Sequence, residues 1–181
     1  MSSKQELRAE LKARLRQELS SEVYAQRSAL IYHQLLEHPL WLESYRVGLY
    51  MPLPEEPDLR FLLEDEEHEL YLPRVLGQET MEFYPYAGPE SLTRSGSFGL
   101  WEPKQGYAAV DPQQLDLLVI PALGFDAEGF RLGRGKGYYD RYLSRSSAAA
   151  LGVCMLRAPL PTLPREAWDL PMDDVLFATE L

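Results

Sequence analysis

The run "LDLLVIPALGF", residues 115–125, holds one charge, at Asp116, and is apolar almost throughout. Such a stretch predicts a strand covered on both faces, as occurs where helices pack on both sides of a parallel sheet. Directly behind it comes "DAEGFRLGRGKGYYDRYL", residues 126–143, dense in glycine and basic residues. A buried strand that feeds such a loop places it beyond the carboxyl end of the sheet, where folds of this kind bind ligands.

The remaining periodicities agree with an α/β order. Ser3 and Glu6 form a capping box, and Leu7, Leu11, Leu15 and Leu19 make one apolar stripe, so the first segment predicts a helix. A second helix is expected from Glu22 to Glu37, ended by Pro39. "RVGLYMPL", "HELYLPRV" and "TMEFYPY" predict strands from their aromatic and branched content and their Pro and Gly borders. After the loop, "GYYDRYLSRSS" predicts a helix, "AALGVCML" a buried strand and "DDVLFATE" a last short one. The expected fold is α/β: a single-domain three-layer α/β/α sandwich on a mainly parallel sheet, spanning residues 1–181.

Composition narrows the function. No apolar run approaches the about 18 residues a membrane-spanning helix requires. The opening "MSSKQELRAELKARLRQELS" lacks the apolar centre of a secretory signal, and its glutamates speak against a transit peptide, so a cytoplasmic protein is expected. Cys154 is the only cysteine and sits in an apolar run, and His33, His38 and His68 show no metal-ligand spacing. A formal net charge of -10 argues against nucleic-acid binding. Yet Lys4, Arg8, Lys12, Arg14, Arg16, Arg131, Arg134, Lys136, Arg141 and Arg145, ten of the 18 basic residues, fall in two short segments, a distribution suited to a small anion.

Within the loop, Gly133, Gly135 and Gly137 alternate with Arg134 and Lys136. Small residues let backbone N–H groups approach a ligand while basic side chains surround it, and with a following helix this is a means of holding phosphate. It is not the common phosphate loop, because Gly137 and not Ser or Thr follows Lys136. Asp140 adds a carboxylate of the kind magnesium takes beside phosphate oxygens, or else a partner for the nearby arginines.

"LGRGKGYYDRYL", preceded by "PALGFDAEGFRLG", resembles the signature of the 5-formyltetrahydrofolate cyclo-ligase family. "SSKQELRAELKARL", "VGLYMPLPEEPDL", "LYLPRV", "LWEP" and "WDLPMDDVLFATE" resemble further family segments in the family's order, covering most of the chain. The resemblance implies an ATP- and Mg2+-dependent enzyme that converts 5-formyltetrahydrofolate to 5,10-methenyltetrahydrofolate, ADP and phosphate; a monomer is expected. The γ-phosphoryl group would pass to the formyl oxygen, a poor leaving group without it.

The same resemblance implies roles for individual residues. Lys4, Arg8, Arg131, Gly133, Arg134, Gly135, Lys136, Gly137, Tyr138 and Asp140 would bind ATP, with Lys136, Arg134 and Tyr139 catalytic. Met51, Glu56, Trp101 and Tyr139 would contact the folate, Glu56 through its pterin, with Glu55 an adjacent alternative. Asp140 and Asp169 would stand on the magnesium side. Lys12, Arg14 and Arg16 are expected to be a solvated helix face. The chain departs from the family at Trp168, where relatives commonly have His, and at Glu55 and Pro57, where bacterial relatives often have Gly and an aliphatic residue. An ATP-dependent enzyme with another acceptor, a non-catalytic binding relative and an RNA-binding module stand as alternative readings.

Overall fold

The computed structural model describes residues 3–95 and 99–180. Four helices, α1 (Lys4–Glu18), α2 (Ser21–Leu36), α3 (Pro39–Leu42) and α4 (Tyr138–Leu143), accompany a sheet of six strands. Its strands are β1 (Arg46–Gly48), β2 (Glu69–Leu76), β3 (Thr80–Pro85), β6 (Leu117–Pro121), β9 (Ala149–Val153) and β10 (Asp174–Leu176). Two separate ribbons pair β4 (Leu92–Ser95) with β5 (Leu100–Pro103) and β7 (Gly124–Phe125) with β8 (Arg131–Leu132).

The sheet order is β10-β9-β6-β1-β2-β3, parallel except for β3, which returns antiparallel on β2. Each residue of β6 is buried, and its side chains alternate between two cores. Leu118 and Ile120 join Leu11 and Leu15 of α1 and Tyr142 of α4 on one face. Leu117 and Val119 join Ile31 and Leu35 of α2 and Trp41 of α3 on the other. This alternation makes the molecule three layers, as the apolar run of residues 115–125 requires.

The capping box at α1 is formed: Glu6 N–H donates to Ser3 Oγ at 3.2 Å, and Ser3 N–H to Glu6 Oε2 at 2.7 Å. Leu11 and Leu15 are buried, while Leu7 and Leu19 pack partly against the same core.

Several elements are shorter than the sequence predicts. "LDLLVIPALGF" is one strand only as far as Pro121, which has no N–H for the ladder, and its end, Gly124–Phe125, enters a ribbon of its own. "RVGLYMPL" is a strand over Arg46–Gly48, beyond which Pro52 and Pro54 break the pairing. The helix expected through residue 147 stops at Leu143, where Ser144 Oγ donates to Arg141 O at 2.7 Å and Ser146 Oγ to Pro112 O at 2.7 Å. Serine hydroxyls that bond locally to the backbone compete with helix continuation.

One consequence of the strand order positions the site. The chain moves outward from β1 to β2 and β3, then restarts on the other side of β1 with β6 and proceeds to β9 and β10. Neighbours β1 and β6 therefore send their carboxyl-terminal loops in opposite directions and leave a crevice between them.

Candidate active site

The loop after β1 carries Met51, Glu55 and Glu56; the loop after β6 carries Arg131 to Gly137. They meet through Arg134, whose Nη2 donates to Glu55 Oε2 at 2.8 Å and whose Nε donates to Glu56 Oε1 at 3.2 Å. Both carboxylates are buried. Glu56 also accepts the Leu53 N–H through Oε2 at 2.9 Å. Burial lifts the Glu56 carboxyl above its ordinary range, against the pull of Leu53 N–H and Arg134. Glu55 moves the other way: burial pushes it up, but Arg134 and Arg16 together hold it below the usual carboxylate range.

The first helix closes a second side. Arg8 Nε donates to Gly133 O at 2.8 Å, and Lys4 is ion-paired with Asp169 from the carboxyl-terminal segment. Arg131 Nη2 pairs with Asp140 Oδ2 at 2.9 Å, and its guanidinium lies 5.3 Å from the centre of the Tyr139 ring. Arg131 Nε is buried and has no hydrogen-bond partner among the described residues, an N–H donor left unsatisfied. Burial lowers the Arg8 pKa, with Arg131 adding to the effect and Asp169 opposing it, which puts these three charges within electrostatic reach of one another.

Gly135 and Gly137 have φ of +93° and +69°, in the left-handed region that favours glycine. A Cβ at Gly135 would lie 3.3 Å from Arg8 Cζ, and one at Gly137 2.9 Å from Arg141 Nη1. The glycines thus let the loop coil back against α1, with Arg131 and Arg134 turned to buried or half-buried carboxylates and Lys136 outward. Lys136 is exposed, and its ammonium has no hydrogen bond or ion pair among the described residues. Tyr139 is half-buried against the first core, and burial, then nearby Glu56, push its phenol far above the ordinary value despite Arg131. It stands as a neutral hydrogen-bond donor.

The geometry thus brings Lys4, Arg8, Arg131, Arg134, Asp140, Tyr139, Asp169 and Glu56 into one connected constellation. Met51 is half-buried against the second core on the same loop as Glu56. Tyr138 lies under Arg141, whose guanidinium is 5.5 Å from the ring centre. Trp101 is not brought to the loop by any described contact: it lies on β5, 42% exposed, with Arg94 5.2 Å from its ring. Arg16 is solvated as expected, its side chain 72% exposed, and its Nε also donates to Glu55 Oε1 at 3.1 Å. Arg14 does keep to its own helix, pairing with Glu18. No local spacing announces the Arg16–Glu55 contact; it arises from where α1 crosses the crevice. A cleft of about 260 Å3 opens here, lined by Leu15, Arg16, Leu19, Pro54 and Glu55.

Comparison with known proteins gives the family. The model of the 5-formyltetrahydrofolate cyclo-ligase family matches residues 1–178. The chain belongs to that family. The mouse 5-formyltetrahydrofolate cyclo-ligase is 31% identical, over 97% of this chain and 94% of the relative. The Haemophilus influenzae 5-formyltetrahydrofolate cyclo-ligase is 32% identical, over 89% and 96%. The solution structure of Aquifex aeolicus 5,10-methenyltetrahydrofolate synthetase superposes with a TM-score of 0.81 at 37% identity, over 98% of this chain and 90% of that one. For a cyclo-ligase of this family ATP is a co-substrate, and the cation cluster on the glycine loop has the chemistry to receive it.

Among the described residues no three His, Cys, Asp or Glu side chains gather as a metal cage, and none lies in a helix long and apolar enough to cross a membrane. Asp140 and Asp169 are hard oxygen donors near Arg131, which pairs with the first and acts through its charge on the second. That set suits magnesium carried in on phosphate oxygens with one or two carboxylates behind it.

Proposed function

We propose that this protein catalyses the ATP-dependent cyclisation of 5-formyltetrahydrofolate to 5,10-methenyltetrahydrofolate, releasing ADP and phosphate. The observation that carries the reading is the contact of Arg134 with Glu55 and Glu56 across the β1/β6 crevice. It joins a polyphosphate-type loop to an acidic, buried loop, so that two molecules bound on them would be held side by side.

The chemistry needs such a junction. The formyl oxygen attacks the γ-phosphorus, ADP departs, and the oxygen becomes part of a phosphate leaving group. N10 then attacks the formyl carbon, loses its proton, and the C–O bond breaks with both electrons going to phosphate. Catalysis of this kind is mainly positioning and charge stabilisation. Lys4, Arg8 and Arg131, with Gly133, Gly135 and Gly137 shaping the loop and Tyr138 at its edge, hold the ATP. Arg134 and Lys136 meet the transferring phosphoryl group.

On the folate side, Glu56 accepts hydrogen bonds from the pterin, Met51 gives an apolar wall, and Tyr139 donates from its neutral phenol; Trp101, away from the loop, would reach the folate only at the outer edge of the site. Asp140 and Asp169 would hold Mg2+, which when bound neutralises phosphate charge.

Residues 1–181 are read as one domain, supported by a sheet whose strands run from Arg46 to Leu176 and a family match over residues 1–178. A monomer in the cytoplasm is the corresponding assignment, on the sequence grounds given above. The test is spectroscopic: the absorbance of the methenyl product should rise only when protein, 5-formyltetrahydrofolate, Mg2+ and ATP are all present. Folded protein that gives no product in the complete mixture would overturn the reading.

A further inference from the structure

We propose that Glu55 is a positioning residue of this site, acting through Arg134. Its carboxylate takes the guanidinium at Nη2 and that of Glu56 takes it at Nε, and together they set where it meets the phosphate in transfer. The inference rests on the function proposed above.

Three observations carry it. The Glu55 side chain is 4% exposed, so its charge has to be met within the protein, and Arg134 Nη2 at 2.8 Å and Arg16 Nε at 3.1 Å meet it. A guanidinium is a rigid planar fork, and fixing two of its N–H vectors on two carboxylates removes the freedom to turn that one contact would leave.

Glu56 supplies one of the two contacts. Its Oε1 takes Arg134 Nε at 3.2 Å, and its Oε2 is held by the Leu53 N–H at 2.9 Å. The orientation of Arg134 therefore depends on Glu55. Among the described residues, Arg134 is the one cation of the Arg131–Gly137 loop held by two carboxylates; Arg131 has Asp140 alone.

Arg16 plays a different part. Its side chain is 72% exposed, so it balances the charge of Glu55 without fixing Arg134. The two parts separate by substitution.

The experiment is steady-state turnover with thermal melts on the full chain and four variants: Glu55→Gln, Arg16→Ala, Arg134→Ala and the Glu55→Gln/Arg134→Ala pair. Glu55→Gln should lower kcat about 10- to 100-fold, the scale of a misplaced catalytic group, with KM for both substrates within about 3-fold. Arg16→Ala should stay within about 3-fold of the parent, because Arg134 remains gripped. In the Arg134→Ala background, adding Glu55→Gln should change kcat less than about 2-fold, since the group it positions is gone.

An Arg16→Ala loss equal to that of Glu55→Gln would overturn the assignment, because the tie between α1 and the β1 loop would then be what matters. So would equal losses from Glu55→Gln in both backgrounds, or parental kcat in Glu55→Gln. If Glu55→Gln does not fold, Glu55→Asp keeps the charge and retracts it by one methylene. Lowered kcat at unchanged KM in that variant supports the assignment, and parental kcat overturns it. Failure of the functional reading has a separate signature: the unsubstituted protein gives no product.

Discussion

Arg8 Nε donates to the carbonyl oxygen of Gly133 at 2.8 Å, so that the first helix and the glycine loop, 125 residues apart in the chain, form one wall of the crevice. Arg8→Ala removes a phosphate-facing cation and this anchor together. The expected result is a KM for ATP raised about 10-fold or more and a stability loss of about 1 kcal/mol, the usual worth of one such bond. Turnover at varied ATP and urea unfolding check the two parts. Arg8→Lys should recover only a fraction, because an ammonium lacks the fork that reaches the carbonyl.

Lys136 presents the opposite case, an exposed cation without a partner among the described residues. Lys136→Ala should leave the melting temperature unchanged and lower kcat about 100- to 1000-fold, the scale of losing one preorganised donor at the charge that develops. Near-parental turnover in a folded variant would remove Lys136 from the transferring phosphate.

Glu56 tests the folate end. Glu56→Gln should raise the KM for 5-formyltetrahydrofolate about 10-fold while moving that for ATP less than about 3-fold. Its carboxyl sits above the ordinary range because of burial, so in the parent the folded state binds more protons than the unfolded one. Stability should thus fall as pH rises from 4.5 through the folded value, and Glu56→Gln should lose that fall. An effect confined to ATP would place Glu56 elsewhere.

The Asp169 carboxyl lies below its ordinary 3.8: burial pushes it up, but Glu166 N–H, Lys4 and Arg131 outweigh burial. A depressed carboxyl gives stabilisation that is present above the unfolded value and is lost as pH falls through the folded one. Asp169→Asn should therefore be less stable than the parent at neutral pH, with the gap closing as pH falls below 3.8. Unfolding curves in steps across that window measure it, and a gap that widens toward acid would contradict the pairing with Lys4.

Chelation separates a nucleotide-borne metal from a built-in one. EDTA should abolish turnover and leave the melting temperature of the nucleotide-free protein unchanged, because no acidic or histidine cage exists among the described residues. A drop in melting temperature would mean that a metal holds the fold.

Much of the architecture was readable because it rests on local periodicity. The capping box at Ser3, the leucine stripe of α1 and the apolar run of β6 each report which face is buried, and burial on both faces of β6 dictates helices on both sides. The length of each element was less readable. Pro121, Pro52, Pro54 and the serines after Leu143 end pairing or helix through single backbone groups that periodicity averages over. The β4–β5 ribbon was missed because four residues of "LTRS" carry no alternation strong enough to stand out.

For the site, sequence alone determined the glycine loop, its cations and its place behind the most buried strand, since alternating glycine and a strand-to-loop boundary are properties of neighbours in the chain. The tertiary structure decided the pairing. Lys4 with Asp169, Arg8 with Gly133, and Arg134 with Glu55 and Glu56 join segments from 79 to 165 residues apart, apart from the Glu56 contact at 78. Arg16 stays mostly in solvent yet meets a buried carboxylate, because the packing of Leu11 and Leu15 sets where α1 crosses the β1 loop, and nothing in the helix sequence names Glu55 as the partner. Charges choose partners by distance in space, and that distance exists only once both cores have closed on the sheet.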